Sequence, residues 1–161
     1  MNSKRKLTNA SNVIVGLWLF AMFTIFPLIY NDFYYDILQT KYYTVMILSI
    51  TMILALIVIC GFAGGFKSFF DKVKKKGFET WFKEEFSLWD ICVMIFMLMT
   101  VLSTLFSGRV IMDAITGNKG RFSGLLLISV YVTIYFIVSR MFSFSKIYFT
   151  VFLAVSIPIC I

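Results

Sequence analysis

The residues with the most chemistry to offer lie together in the segment Thr116-Gly117-Asn118-Lys119-Gly120-Arg121-Phe122-Ser123-Gly124. Arg121 offers a planar fork of donors suited to phosphate, and Lys119 adds a mobile point charge. Gly117, Gly120 and Gly124 form a structural motif around them. Glycines let backbone N–H groups turn toward one concavity and let a ligand come close. Asn118 tolerates a left-handed turn. A helix beginning near Phe122–Ser123 would aim the positive end of its dipole at the same place. Asn118, Lys119 and Arg121 therefore suit a phosphate site. On residue types alone, a glycine-rich loop with two cations is more often an ordinary turn with a membrane anchor than a phosphate site.

Little else in the chain is equipped for chemistry. There is no histidine, which removes imidazole acid–base catalysis and the commonest metal ligand. No carboxylate pair sits at a catalytic spacing inside an apolar run, and no phosphate-binding loop or nucleophile elbow occurs. Cys60, Cys92 and Cys160 lie in apolar runs without paired spacing, as small buried residues do. No metal and no cofactor is expected.

The elements that hold the loop are apolar. Hydrophobic residues make up 60% of the chain and charged residues 14%, and the mean hydropathy is +0.91. Soluble domains are about 45–50% apolar and about 25% charged, so the excess must face lipid. Val13–Tyr30, Tyr42–Phe66, Ile91–Gly108 and Phe122–Ser139 carry no formal charge. Each reaches the length of about 18 residues that a membrane-spanning helix needs. A fifth run, Ile147–Ile161, has 15 residues. At 1.5 Å per residue it reaches about 22 Å, against a hydrocarbon core of roughly 30 Å.

The fold expected is an all-α, polytopic membrane protein with four full transmembrane helices and a partial fifth. The helices are placed at about 13–30, 43–65, 88–107, 122–139 and 147–161. The unfinished fifth run predicts that residues 1–161 are the N-terminal part of one longer transmembrane domain. The basic start and first apolar run resemble a signal peptide. However, Phe26-Pro27-Leu28-Ile29-Tyr30-Asn31-Asp32 contains no small-x-small cleavage site, so an uncleaved first helix is predicted. Pro27 falls in its last turn, where a missing N–H is tolerated.

Lys and Arg counts orient the chain. With the N-terminus in the cytoplasm, the inner segments hold Lys4, Arg5, Lys6, Lys67, Lys72, Lys74, Lys75, Lys76, Lys83, Arg140 and Lys146. The outer loops hold Lys41, Arg109, Lys119 and Arg121. This bias obeys the positive-inside rule and puts the glycine loop on the outer face. The net charge of +7 then reflects topology and contact with anionic membrane lipids. No nucleic-acid partner is expected, because the cations are divided among loops.

Residues 66–87 read as a cytoplasmic interfacial segment. Phe66, Phe69, Phe70 and Val73 recur at helical spacing, with Lys67, Lys72, Lys74, Lys75 and Lys76 between them. This is the pattern of an amphipathic helix lying in the headgroup plane. Gly77 breaks it, and Phe78, Trp81, Phe82 and Phe86 carry a second apolar stripe, with Lys83, Glu84 and Glu85 on the wet side. Asp90 falls in the first turn of the third spanning helix, where the dipole favours an anion. A functional acid inside the membrane is the other reading of Asp90.

Two stretches carry a family likeness. They are Leu102-Ser103-Thr104-Leu105-Phe106-Ser107, and Gly117-Asn118-Lys119-Gly120-Arg121-Phe122-Ser123-Gly124-Leu125-Leu126. With Leu88-Trp89-Asp90 before them and Val138-Ser139-Arg140 after, they resemble the N-terminal part of the O-antigen ligase and polymerase-like family. Thr116 stands where that family commonly has tryptophan. The resemblance covers about residues 66 to 140. It implies a polytopic glycosyltransferase of the bacterial cytoplasmic membrane that ligates or polymerises saccharides carried on undecaprenyl diphosphate at the outer face. It implies no metal and no nucleotide sugar. The family's catalytic arginines and histidine belong to a later outer loop that has no counterpart here, so no catalytic residue is carried over. Asn118, Lys119 and Arg121 transfer only as residues on the lipid-diphosphate side, and this chain alone is expected to be inactive. A non-enzymatic alternative is a small polytopic membrane protein, either part of a transporter or an accessory subunit. Gly61, Gly64 and Gly65 cluster toward one helix end and central charges are missing, which disfavours a complete transport pathway.

Overall fold

A computed structural model describes residues 2–29, 37–62, 71, 74, 78–108, 111–117, 122–144 and 146–159. These residues are almost entirely helical, and no strand occurs among them. The helices are α1 (Asn2–Leu28), α2 (Ile37–Phe62), α3 (Phe78–Glu85), α4 (Leu88–Leu105), α5 (Ile111–Thr116), α6 (Leu125–Met141) and α7 (Lys146–Ile159).

Three segments are long and apolar enough to cross a membrane: Asn9–Leu28 within α1, all of α2, and α4. α6 has 17 residues and α7 has 14, about 25 Å and 21 Å at 1.5 Å per residue. The structure thus carries three candidate spans where four full ones are expected from the apolar runs. The shortfall arises at the start of α6. Phe122 adopts a positive φ of 49° and Gly124, the N-cap, is extended, so the helix begins at Leu125 and not at Phe122.

Two other helices exceed their apolar runs. α1 starts at Asn2, ahead of the run at Val13, and α2 starts at Ile37, with Lys41 inside it. Lysine and arginine are good helix formers, so charge marks where an apolar run stops but not where a helix stops. Within 66–87, only Asp71, Lys74 and the stretch from Phe78 onward are described. The first amphipathic stripe, through Phe66, Phe69, Phe70 and Val73, lies outside the described residues, as does Gly77.

α1 and α6 organise the bundle. α1 packs on α2, α6 and α7, and α6 packs on α1, α2, α4 and α5. The core joins Val15, Met52 and Leu56, with Trp18, Ile53, Ile134, Ile137 and Val138 packed around them. α7 comes close to α1 at Gly16, where a Cβ would stand 2.7 Å from the Tyr148 hydroxyl. Much of the remaining apolar surface is uncovered: Leu17, Ile47, Leu54 and Met99 are each more than half exposed. Bare apolar surface on that scale suits lipid contact and not water.

Contacts pair the helix ends in alternation. At one end, Asn12 Oδ1 accepts from the Ser143 N–H at 2.9 Å, tying α1 to the α6–α7 turn. At the other, the Lys41 ammonium lies 5.4 Å from the centre of the Phe26 ring. Ser49, on α2, is fully buried and its hydroxyl lacks a hydrogen-bond partner. Ser49→Ala is therefore expected to be neutral or stabilising by up to about 1 kcal/mol, read as the unfolding midpoint in detergent. A loss of stability would show that the hydroxyl is bonded after all.

Candidate functional site

The glycine loop follows α5. That helix ends with the Gly117 N–H donating to the Asp113 carbonyl at 2.9 Å, while Gly117 takes a φ of +88°. A left-handed residue after the last turn is the usual glycine helix stop. The chain then returns on itself. A Cβ on Gly117 would lie 2.6 Å from Ser123 N, 2.7 Å from Phe122 C and 2.8 Å from Gly124 N. A Cβ on the buried Gly124 would run into the Ile115 carbonyl oxygen and the Gly117 nitrogen. The two glycines thus pinch the base of the loop, backbone against backbone. Asn118, Lys119, Gly120 and Arg121 are the segment bracketed by that pinch, and they lie outside the described residues.

Phe122 anchors the returning arm. Its ring stacks on Tyr42 with centroids 5.1 Å apart and planes at 23°, and lies 6.5 Å from the Tyr43 ring. A left-handed backbone at a non-glycine residue costs about 1–3 kcal/mol and persists only where its surroundings hold it. Here the two tyrosines at the start of α2 do the holding. The loop base is therefore fixed to α5, α6 and α2 at the end of the bundle that carries Lys41 and Phe26.

A second polar cluster lies at the opposite end, and the sequence points to only half of it. Ser87 caps α4: its hydroxyl accepts from the Trp89 N–H at 3.2 Å, and Asp90 Oδ2 accepts from the Ser87 N–H at 2.9 Å. This reciprocal arrangement is a capping box. Asp90 is only 7% exposed. Its Oδ1 accepts from the Tyr135 hydroxyl at 3.0 Å, and its Oδ2 lies 3.5 Å from Arg140 Nη2. The Arg140 guanidinium also donates to the Glu85 carbonyl at 3.3 Å and covers the Phe86 ring, 4.5 Å from its centre. Phe86 in turn stacks on Phe82 at 4.5 Å. One arginine thus clasps α3, α4 and α6 together.

The sequence places Asp90 in the first turn of α4, and the Ser87-x-x-Asp90 spacing is the signal that marks the cap. The partners carry no such signal, because Tyr135 and Arg140 reach Asp90 only through the register of two antiparallel helices. Both oxygens of Asp90 face donors, so the carboxylate serves as a shared acceptor that joins α4 to α6.

Cys60 and Cys92 are free thiols, and Cys160 lies outside the described residues. Among the described residues no group of histidine, cysteine, aspartate or glutamate side chains could hold a metal ion. No protein-family model, curated protein or solved structure matches the chain.

Proposed function

We propose that these residues form membrane helices of a glycosyltransferase that ligates or polymerises saccharides carried on undecaprenyl diphosphate. In this reading α6 and α7 also lie in the bacterial cytoplasmic membrane, α6 as a fourth span and α7 as part of a fifth. α3 rests in the headgroup plane on the cytoplasmic side. The N-terminus is cytoplasmic and the Gly117–Gly124 loop faces outward.

The observation that supports the reading best is the pinch between Gly117 and Gly124. It ties off Asn118, Lys119 and Arg121 as a short cationic loop, with its base anchored by Phe122 on Tyr42. Cations placed beside a diphosphate leaving group stabilise the charge that develops as the sugar–phosphate bond breaks. The chain lacks histidine, so its part is to hold the lipid diphosphate while acid–base chemistry is supplied elsewhere.

The test is binding of undecaprenyl diphosphate to the protein in lipid nanodiscs. Arg121→Ala is expected to weaken binding about tenfold, the equivalent of one charge-assisted hydrogen bond. Lys119→Ala is expected to do so by a smaller factor. Unchanged affinity in both variants, with the bundle intact, removes the reading.

One feature favours a non-enzymatic accessory subunit instead. Asp90 is the sole buried residue of α4, so nearly the whole helix is open to a partner as well as to lipid. Unaltered lipid-diphosphate binding in the loop variants would select that alternative.

A further inference from the structure

A groove runs along the outside of the bundle between α1 and α6. Trp18, Leu19 and Phe23 line it from α1, and Tyr131, Val138 and Ser139 from α6, enclosing about 550 Å³. That volume is within the range of ligand sites, about 300–1,000 Å³. Its walls are almost wholly apolar, and it is open along its side.

Its length and position identify the occupant. Tyr131 to Ser139 is about 12 Å along α6 at 1.5 Å per residue. One leaflet of the hydrocarbon core is about 15 Å deep, half of roughly 30 Å. The groove therefore begins near the middle of α6 and ends where α6 meets the Arg140 clasp. The length of the groove thus matches one acyl chain within one leaflet. The Ser139 end of the groove lies beside cations. Arg140 follows Ser139 directly, and its side chain is 30% exposed. Lys146, exposed, begins α7 just beyond the turn.

We propose that this groove binds one acyl chain of an anionic glycerophospholipid, with the phosphate of its headgroup at the Arg140 and Lys146 end. The apolar walls select a chain over a polar ligand, and the basic end selects an anionic headgroup over a zwitterionic one. Arg140 keeps its contact with Asp90 and uses its outward edge. The site is separate from the glycine loop, which lies at the other end of the bundle, and does not depend on the function proposed for that loop.

Trp18 is a built-in reporter. The chain has three tryptophans, and Trp81→Phe with Trp89→Phe leaves Trp18 alone. The full chain is reconstituted in phosphatidylcholine vesicles containing lipid with brominated acyl chains, which quench indole fluorescence on contact. Brominated phosphatidylglycerol is expected to quench Trp18 with about fivefold greater apparent affinity than brominated phosphatidylcholine, the preference that one cation near an anionic surface provides. Val138→Phe, which fills the groove, should abolish the preference. Lys146→Gln, at an exposed site, should reduce it while leaving the bundle intact. Equal quenching by the two lipids means ordinary annular contact and overturns the proposal. So does absence of quenching by either, which means that protein covers the groove. An unchanged preference in both variants moves the site elsewhere and overturns it as well.

Discussion

Asp90→Ala is expected to lower the thermal unfolding midpoint of the bundle by loosening α4 from α6. The carboxylate is the common acceptor for three donors on three parts of the chain: the Ser87 N–H at the start of α4, and Tyr135 and Arg140 on α6. Alanine leaves all three without it, at a position only 7% exposed. Tyr135 and the Ser87 N–H lose a shared acceptor, while Arg140, whose side chain is 30% exposed, keeps the Glu85 carbonyl and the Phe86 ring. A fall in Tm on the order of 5 °C is expected for a chain of this size. Asp90→Asn should be intermediate, because an amide oxygen still accepts from one donor but no longer balances the guanidinium. Arg140→Ala should do less harm, because Asp90 keeps Ser87 and Tyr135. In Asp90→Ala/Arg140→Met the unbalanced cation is gone, and part of the lost stability should return. Thermal unfolding in detergent, followed by circular dichroism, measures all four. If Asp90→Ala melts with the parent, the clasp is not what joins α4 to α6.

Which parts of this arrangement can be read from the residues alone follows from which are local. The spans of α2 and α4 show as charge-free runs because lipid excludes charge along the whole length of a helix. The start of α4 shows because a capping box is spelled by Ser87 and Asp90, three residues apart. The start of α1 at Asn2 does not show, because hydropathy reports lipid contact and not helicity. Lys4, Arg5 and Lys6 end the apolar run without ending the hydrogen-bond ladder.

Non-local features stay hidden for a different reason. Nothing about Phe122 favours a positive φ. Its conformation depends on Tyr42 and Tyr43, some eighty positions away, so the helix expected from Phe122 begins only at Leu125. Arg140 counts in the sequence as one more inside cation. That it reaches across to Asp90, Phe86 and the Glu85 carbonyl emerges only when α4 and α6 are docked. The glycine loop falls between these cases. Three glycines near two cations mark it as a place where backbone could approach a ligand. The structure adds that two of them, Gly117 and Gly124, approach each other.

That mutual approach makes the loop base intolerant of a single methyl group. Gly124→Ala puts a Cβ against the Ile115 carbonyl oxygen and the Gly117 nitrogen. Both are backbone atoms and cannot swing aside as a side-chain tip does, so the loop must open. Overpacking of this kind costs about 1–3 kcal/mol. Gly117→Ala meets Ser123, Phe122 and Gly124 backbone in the same way and also forces alanine into a left-handed φ of +88°, which adds about 1–2 kcal/mol. The loss is local, because the core around Val15, Met52 and Leu56 is on other helices. Hydrogen exchange should therefore quicken at the Gly117 amide, which the parent holds against the Asp113 carbonyl, while the global midpoint moves little. With the base open, the segment that carries both cations is no longer closed off by the two glycines, and under the proposed function affinity for undecaprenyl diphosphate should fall at least as far as in Arg121→Ala, about tenfold or more. Gly61→Ala is the control. A Cβ there meets nothing within 4 Å, so it should leave binding unaltered and stabilise α2 by up to about 1 kcal/mol. If exchange at Gly117 is unchanged in Gly124→Ala, the loop is not pinched. If exchange quickens but lipid-diphosphate affinity holds, the pinch is a structural turn and the cations do not act through it.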